Sequence, residues 1–148
     1  HEQALALNEE LGRKEGMAIQ YGNMGVVAQT RGDLDGAVRY YEQSLALNEE
    51  LGSKEGMASD YGNMGIVART RGDLNGAMRY YEQSLALNEE LGRKEGVAIQ
   101  FANMGRVEQR RGNLANARAL WEQAFALFYA MGSADATIVR GWLDELDG

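Results

Sequence analysis

The sequence predicts an all-α array of stacked antiparallel helical hairpins, and two observations carry that expectation. The stretch Tyr21-Gly22-Asn23-Met24-Gly25 returns as Tyr61-Gly62-Asn63-Met64-Gly65 and, loosened, as Phe101-Ala102-Asn103-Met104-Gly105, so the chain repeats every 40 residues. Residues 17–56 and 57–96 agree at 33 of 40 positions with no insertion between them. Self-similarity at such a period, with apolar residues at helical spacing inside each unit, is the mark of a solenoid whose units bury their apolar faces only against neighbours. The second observation is a comb of glycines at positions 12, 32, 52, 72, 92, 112 and 132. Each closes a helix-like segment, as a C′ glycine does.

Composition agrees with a folded unit. Of 148 residues, 45% are hydrophobic and 25% charged, enough for a core and too apolar for disorder. Proline is absent, which permits long helices whose ends are set by glycine. A net charge of −7 argues against nucleic acid as partner, because phosphate binding needs clustered cations. No run of about 18 apolar residues predicts a membrane span, and no charged-then-apolar leader suggests secretion. With no cysteine the chain has no disulfide, thiolate zinc site or thiol nucleophile, which fits a reducing compartment, and the cytoplasm is the expected location. The first residue is His1, not Met, so the chain reads as a piece of a longer protein.

The elements follow in order. Residues 2–11 match 42–51 and are expected to form half a helix, so that the array enters in mid-repeat. Six helices are then expected over 14–31, 34–51, 54–71, 74–91, 94–111 and 114–131, followed by a closing helix over 134–146. Asp33, Asp73 and Asn113 stand where a side chain can accept from the free amides of a helix start, and Ser53 and Ser133 can do the same. The organisation is one array: a half repeat at 1–12, full repeats at 13–52, 53–92 and 93–132, and a capping helix within 133–148. Trp121, Phe125, Phe128, Tyr129 and Trp142 gather at the far end, as a terminal cap that must finish the core requires.

The set Tyr21-x2-Met24-Gly25-x2-Ala28, then Gly32, Ala37-x3-Tyr41 and Ser44, resembles the tetratricopeptide repeat, and it returns 40 residues on. The usual unit of that family is shorter and ends in proline, whereas Asn48-Glu49-Glu50-Leu51 carries the second helix on to Gly52. The longer unit looks like the repeats of kinesin light chains and spindle-orientation scaffolds, and still more like tandem arrays in bacterial proteins. The resemblance implies a right-handed superhelical solenoid whose first helices, one per hairpin, line a concave groove for a partner peptide.

Several residues are candidates for function on that face. Two mid-helix glycines cost roughly 0.8–1.0 kcal/mol each; close approach of two helix backbones at Gly25, Gly65 and Gly105 is the expected compensation, while position 22 becomes Ala102 and reads as tolerant. Asn23, Asn63 and Asn103 form a ladder of one amide per unit, able to grip a peptide backbone through donor and acceptor together, or else to bond between helices. One turn on lie Val26 and Thr30, Ile66 and Thr70, then Arg106 and Arg110, with Arg69 nearby. The groove is thus expected to be apolar at first and to end in guanidinium groups suited to a carboxylate, unless those arginines are merely solvated.

Other features point away from chemistry. The Asn48-Glu49-Glu50 cluster and its echoes lie at helix C-termini and read as a solvated edge without calcium-loop spacing. His1 is the only histidine and reads as a tag remnant or frayed end. No phosphate loop or nucleophile elbow appears, so neither an enzyme nor a cofactor is expected. One of each pair Tyr40/Tyr41 and Tyr80/Tyr81 should be core. The leading function is a protein-interaction scaffold for a peptide, one able to carry acidic residues, within a larger protein. The alternative is self-assembly, since residues 2–11 would expose Leu5, Leu7 and Leu11 and near-identical units make exchange between chains cheap.

Overall fold

A computed structural model describes residues 2–148; His1, the sole histidine, lies outside the described residues. Seven helices follow one another among them: α1 (Glu2–Thr30), α2 (Leu34–Leu51), α3 (Lys54–Thr70), α4 (Leu74–Leu91), α5 (Lys94–Arg110), α6 (Leu114–Ala130) and α7 (Asp135–Asp147). α1 packs on α2, α3 on α4 and α5 on α6 as antiparallel hairpins, and α2 on α3 and α4 on α5 join the hairpins into a solenoid closed by α7 on α6. The helix ends of α2 and α4 fall at the expected residues. The reason is local chemistry: Gly52 is left-handed at φ 68°, and the Ser53 amide reaches back to the Asn48 carbonyl at 2.8 Å.

The turn expected at Gly12 does not form. Gly12 is an ordinary helical residue inside the continuous α1, unlike the six later glycines of the comb. At Gly52 and Gly92 the reversed chain gains a packed neighbour on both sides of the turn. Among the described residues no first helix of an earlier hairpin lies beside 2–11, so a reversal there would give up backbone hydrogen bonds for little burial.

Each unit contributes one layer of core. Ala28, Ala37, Tyr41, Met64 and Val67 join the first two hairpins; Ala68, Ala77, Tyr81 and Val107 join the next two. The third and largest cluster holds Trp121, Phe128, Val139 and Leu143, with Trp142 and Phe125 partly buried against it. Tyr129, expected in that cap, is instead 72% exposed, touching the cap through its ring stacked 5.7 Å from Phe125. Met24, at the position of the buried Met64, is exposed: among the described residues no helix packs on α1 there as α2 packs on α3.

The glycines in the first helix of each hairpin are set by rings rather than by a second backbone. A Cβ on Gly25 would come within 2.5 Å of the Tyr41 ring, one on Gly65 within 2.6 Å of Tyr81, and one on Gly105 within 2.3 Å of Trp121. The close approach is real, but its partner is the aromatic ring of the paired helix. Tyr41 and Tyr81 have no exposed surface, while Tyr40 and Tyr80 stack on Tyr21 and Tyr61 at 6.5 and 6.4 Å. Asp33 and Asp73 cap their helices by accepting from Gly36 and Gly76 at 2.9 Å. Asn113 does not cap: its amide donates to Glu108 at 2.9 Å. The capping carboxylates sit in space left by Gly36 and Gly76, and the corresponding residue is Asn116, whose Cβ fills it. Ser53 and Ser133 accept from Gly56 and Asp135 as expected.

Candidate functional site

The first helices of the hairpins, α1, α3 and α5, follow one another along one side of the solenoid, with α1 touching α3. Two depressions run between them. One of about 500 Å³ lies between α1 and α3, with Asn23, Val26, Ser59, Asp60 and Asn63 in its lining. The next, about 330 Å³, lies between α3 and α5, with Asn63, Ile66, Ile99, Gln100 and Asn103. The asparagine ladder, Val26 and Ile66 therefore line two adjoining depressions that share Ser59, Asn63 and Arg93. Asn23 is exposed, and Asn63 and Asn103 are half-buried. Among the described residues, none of these three amides has a hydrogen-bond partner in the protein. The inter-helix alternative for them is therefore not realised.

The other candidates lie outside the two depressions. Thr30 and Thr70 are exposed, and each hydroxyl donates back to its own helix, to Val26 O at 2.9 Å and Ile66 O at 2.8 Å. Those donors are spent on the backbone. Arg69, Arg106 and Arg110 gather farther along α3 and α5. Arg110 donates to the Arg69 carbonyl at 2.8 Å, and the Arg106 guanidinium lies 5.3 Å above the Trp142 ring. Among the described residues none of the three pairs with a carboxylate, although Arg71, Arg93, Arg111 and Arg118 all do.

Arg69 is the unusual member. In the first hairpin its position is Gln29, which accepts from the Tyr41 hydroxyl at 2.8 Å. Arginine has no acceptor to offer. Tyr81, the counterpart of Tyr41, accordingly keeps an enclosed hydroxyl without a partner, and so does Nη1 of Arg69. Burial pulls the Arg69 guanidinium below its ordinary value; the Tyr81 oxygen opposes this, and the positive charges of Arg106 and Arg110 add to it. An anionic oxygen satisfies such a cluster where another cation would not.

Sequence reading missed the polar floor of the groove. Asp60 is buried and accepts from Asn48 at 2.8 Å and Ser44 at 2.9 Å across the junction of the first two hairpins. Burial raises its carboxyl above the ordinary value, and the bonds from Asn48 and Ser44 only partly oppose that. Burial, followed by the Asp60 charge, also pushes Tyr41 up to about 12. The one available signal was variation inside an otherwise constant unit, since positions 20, 60 and 100 read Gln, Asp, Gln. Arg93, whose guanidinium is 3.5 Å from Glu55, lines both depressions and was also missed.

Asp60 yields a pH prediction. A carboxyl whose folded value is raised favours the protonated folded state, so its contribution is complete below the unfolded value of 3.8 and is lost as pH rises through the folded one. Asp60→Asn keeps an acceptor for Ser44 and Asn48 without the charge. Its melting temperature should exceed that of the parent chain at pH 7, with the gap closing as the pH falls toward 3.8. A gap that widens on acidification would mean that the ionised carboxylate stabilises the junction.

Of the clusters expected to form a solvated edge, the glutamates at 49–50 and 89–90 are exposed, but Asn48 and Asn88 are buried, because each turns inward onto the next hairpin. Glu50 pairs with Lys14 at 2.6 Å and Glu90 with Lys54. Exposed pairs like these contribute little. Among the described residues, no cluster of three His, Cys, Asp or Glu side chains could hold a metal, and no helix is long and apolar enough to cross a membrane.

The stacked hairpins are those of a tetratricopeptide repeat array, and the family profiles agree. Two tetratricopeptide repeat profiles match residues 16–90 and 97–128. The chain belongs to the tetratricopeptide repeat family, whose repeats mediate protein–protein interaction. Among solved structures, BtubC (BKLC) from P. vanneervenii is similar at 24% identity and TM-score 0.74, over 88% of this chain and 55% of that one. This chain thus spans about half the length of BtubC. A putative kinesin light chain from Podosopora anserina with nearly identical TPR-like repeats is similar at 19% identity and TM-score 0.72, over 86% of this chain and 64% of that one. The N-terminal domain of stress-induced protein-1 from C. elegans is similar at 15% identity and TM-score 0.71, over 91% of this chain and 98% of that one. These likenesses show the fold. Comparison with curated proteins finds no match.

Proposed function

We propose that this chain is a non-catalytic interaction scaffold that holds a partner peptide in the groove lined by α1, α3 and α5, as one part of a larger protein. The observation that carries the reading is the pairing of unsatisfied groups with a groove. Three asparagine amides without partners run along it, and beyond them lie three arginines without carboxylates, one of which has an enclosed, unused N–H. A peptide main chain supplies donors and acceptors to Asn23, Asn63 and Asn103, apolar side chains rest on Val26 and Ile66, and an acidic residue meets Arg69, Arg106 and Arg110. Thr30 and Thr70 contribute bulk at the rim rather than hydrogen bonds.

The test is a fluorescence titration of peptides with and without acidic residues. Arg106→Glu/Arg110→Glu should weaken acidic peptides by tenfold or more and spare neutral ones. Asn63→Ala should weaken both while leaving the melting temperature within a few degrees, because its amide bonds to nothing in the free protein. Unchanged affinity in the arginine variant across the peptide set would overturn the acidic preference. A large loss of stability in Asn63→Ala would return that amide to a structural role.

A further inference from the structure

Residues 2–11 differ from 42–51 only in having Ala4 where Ser44 stands, and residues 14–18 are identical to 54–58. Within the chain the later pair is packed together. Asn48 of α2 lies over Gly56 of α3, where a Cβ would come within 2.5 Å of its amide, and Asn88 lies over Gly96 in the same way, within 2.1 Å. In α1 the same two parts exist but do not meet. Gly16 has nothing within 4 Å of its Cβ position, and Asn8 is exposed. They cannot meet within one copy, because eight residues of straight helix hold them roughly 12 Å apart.

Among the described residues the rest of this face is also unpartnered. At 100° per residue, Leu5, Gly12 and Ile19 fall on one line along α1, with Asn8 and Gly16 just to either side of it. Leu5 is 60% and Ile19 66% exposed. The order of side chains is symmetric about Gly12, as an antiparallel pair of identical helices requires. In such a pair Leu5 faces Ile19 of the second copy, Asn8 faces Gly16, and Gly12 meets Gly12 at the two-fold axis. Glu9 and Arg13 lie on one flank of Gly12, have no ion-pair partner among the described residues, and come side by side across the pair. Two glycines in an exposed helix cost roughly 2 kcal/mol together, and close approach of a second helix at Gly12 and Gly16 is what offsets that.

We infer that a second copy of this chain occupies this face, the two α1 helices crossing antiparallel about Gly12 and seating each Asn8 on the partner's Gly16. The occupant is fixed by the interfaces already inside the molecule, since Asn48 on Gly56 and Asn88 on Gly96 are the same contact made by the same residue types. The contact is isologous and closes on itself, giving a dimer rather than a fibre. The beginning of the groove at Ile19 and Asn23 then adjoins the dimer seam. The inference stands independently of the peptide reading.

Because the chain lacks cysteine, Asn8→Cys/Gly16→Cys tests the contact without interference. On mild oxidation a non-reducing gel and intact mass should show a covalent dimer with two disulfides, while each single variant stays uncrosslinked. Within a straight α1 the two sulfurs cannot join, since disulfides need Cα atoms within about 7 Å. A disulfide within one chain would mean that residues 2–11 fold back at Gly12, and that or an absence of crosslinking would overturn the inference. Sedimentation of the unmodified chain from micromolar to hundreds of micromolar should show dimer; monomer throughout would equally overturn it, whatever the peptide titrations give.

Discussion

Gly65→Ala is expected to destabilise the chain by about 2 kcal/mol, while Gly62→Ala, three residues earlier on the same helix, is expected to be neutral or mildly stabilising. Both substitutions improve the intrinsic helix propensity of α3 by roughly 1 kcal/mol. What separates them is the neighbour. At Gly62 the added methyl finds ordinary contacts, the nearest being Gln100 at 3.4 Å and Ser84 at 3.6 Å, and the third unit already carries Ala102 at this position. At Gly65 it comes within 2.6, 2.7 and 3.1 Å of three atoms of the Tyr81 ring. Tyr81 has no exposed surface and sits among Ala68, Ala77 and Val107, so the ring has nowhere to go and the helices must part. Overpacking of this kind typically costs 1–3 kcal/mol and here outweighs the propensity gain. Urea denaturation of the two variants side by side measures the difference, and equal midpoints would show that the ring yields.

That comparison marks how far the repeat was legible. The ends of α2 and α4 could be read because their signals are local: a C′ glycine at Gly52 or Gly92, and an aspartate cap, Asp33 or Asp73, directly after Gly32 or Gly72. Gly65 could be picked out as a contact point because its helical cost demanded compensation, yet its partner was not legible, since a spacing rule says that something approaches and not whether it is a backbone or a ring. The straight run through Gly12 was hidden for the opposite reason. The same tetrad of residues turns at Gly52, and only the presence or absence of packed neighbours decides between the two outcomes.

The candidate site divides along the same line. Asn23, Asn63 and Asn103 and their neighbours Val26 and Ile66 could be placed on one face from helical spacing, and they line two adjoining depressions. The partner status of Arg69 could not be read, because it depends on Tyr81 in another helix and on the exchange of Gln29 for arginine at one repeat position. Thr30 and Thr70 are exposed and lie outside the two depressions, and the sequence did not reveal that their hydroxyls are bonded to the Val26 and Ile66 carbonyls. Asp60 illustrates the limit most sharply. Its burial arises at the junction of two hairpins, a contact that no single-helix pattern encodes.

Trp121→Ala is expected to have the largest effect on stability, about 3–5 kcal/mol, and to divide the molecule rather than weaken it evenly. Trp121 takes the place that Tyr41 and Tyr81 hold in the earlier units, is 1% exposed, and lies against Gly105. Its indole N–H donates to the Ala102 carbonyl at 3.0 Å, and its ring is 5.4 Å from Trp142 on α7. Alanine therefore removes the ring that joins α5, α6 and α7 at once, and the cavity opens beside Gly105, where no side chain can fill it. Tyr41 holds a layer with Ala28, Ala37, Met64 and Val67 that lies wholly within the first two hairpins, while the Tyr81 layer gives up Val107 and Met104 of α5 and keeps Ala68 and Ala77. Hydrogen exchange should show protection lost in α5 to α7 and retained in α2 to α4, with a thermal transition that broadens or splits as the units cease to melt together. Protection lost equally in all seven helices would mean that the array folds as one cooperative body and that its units are not energetically separable.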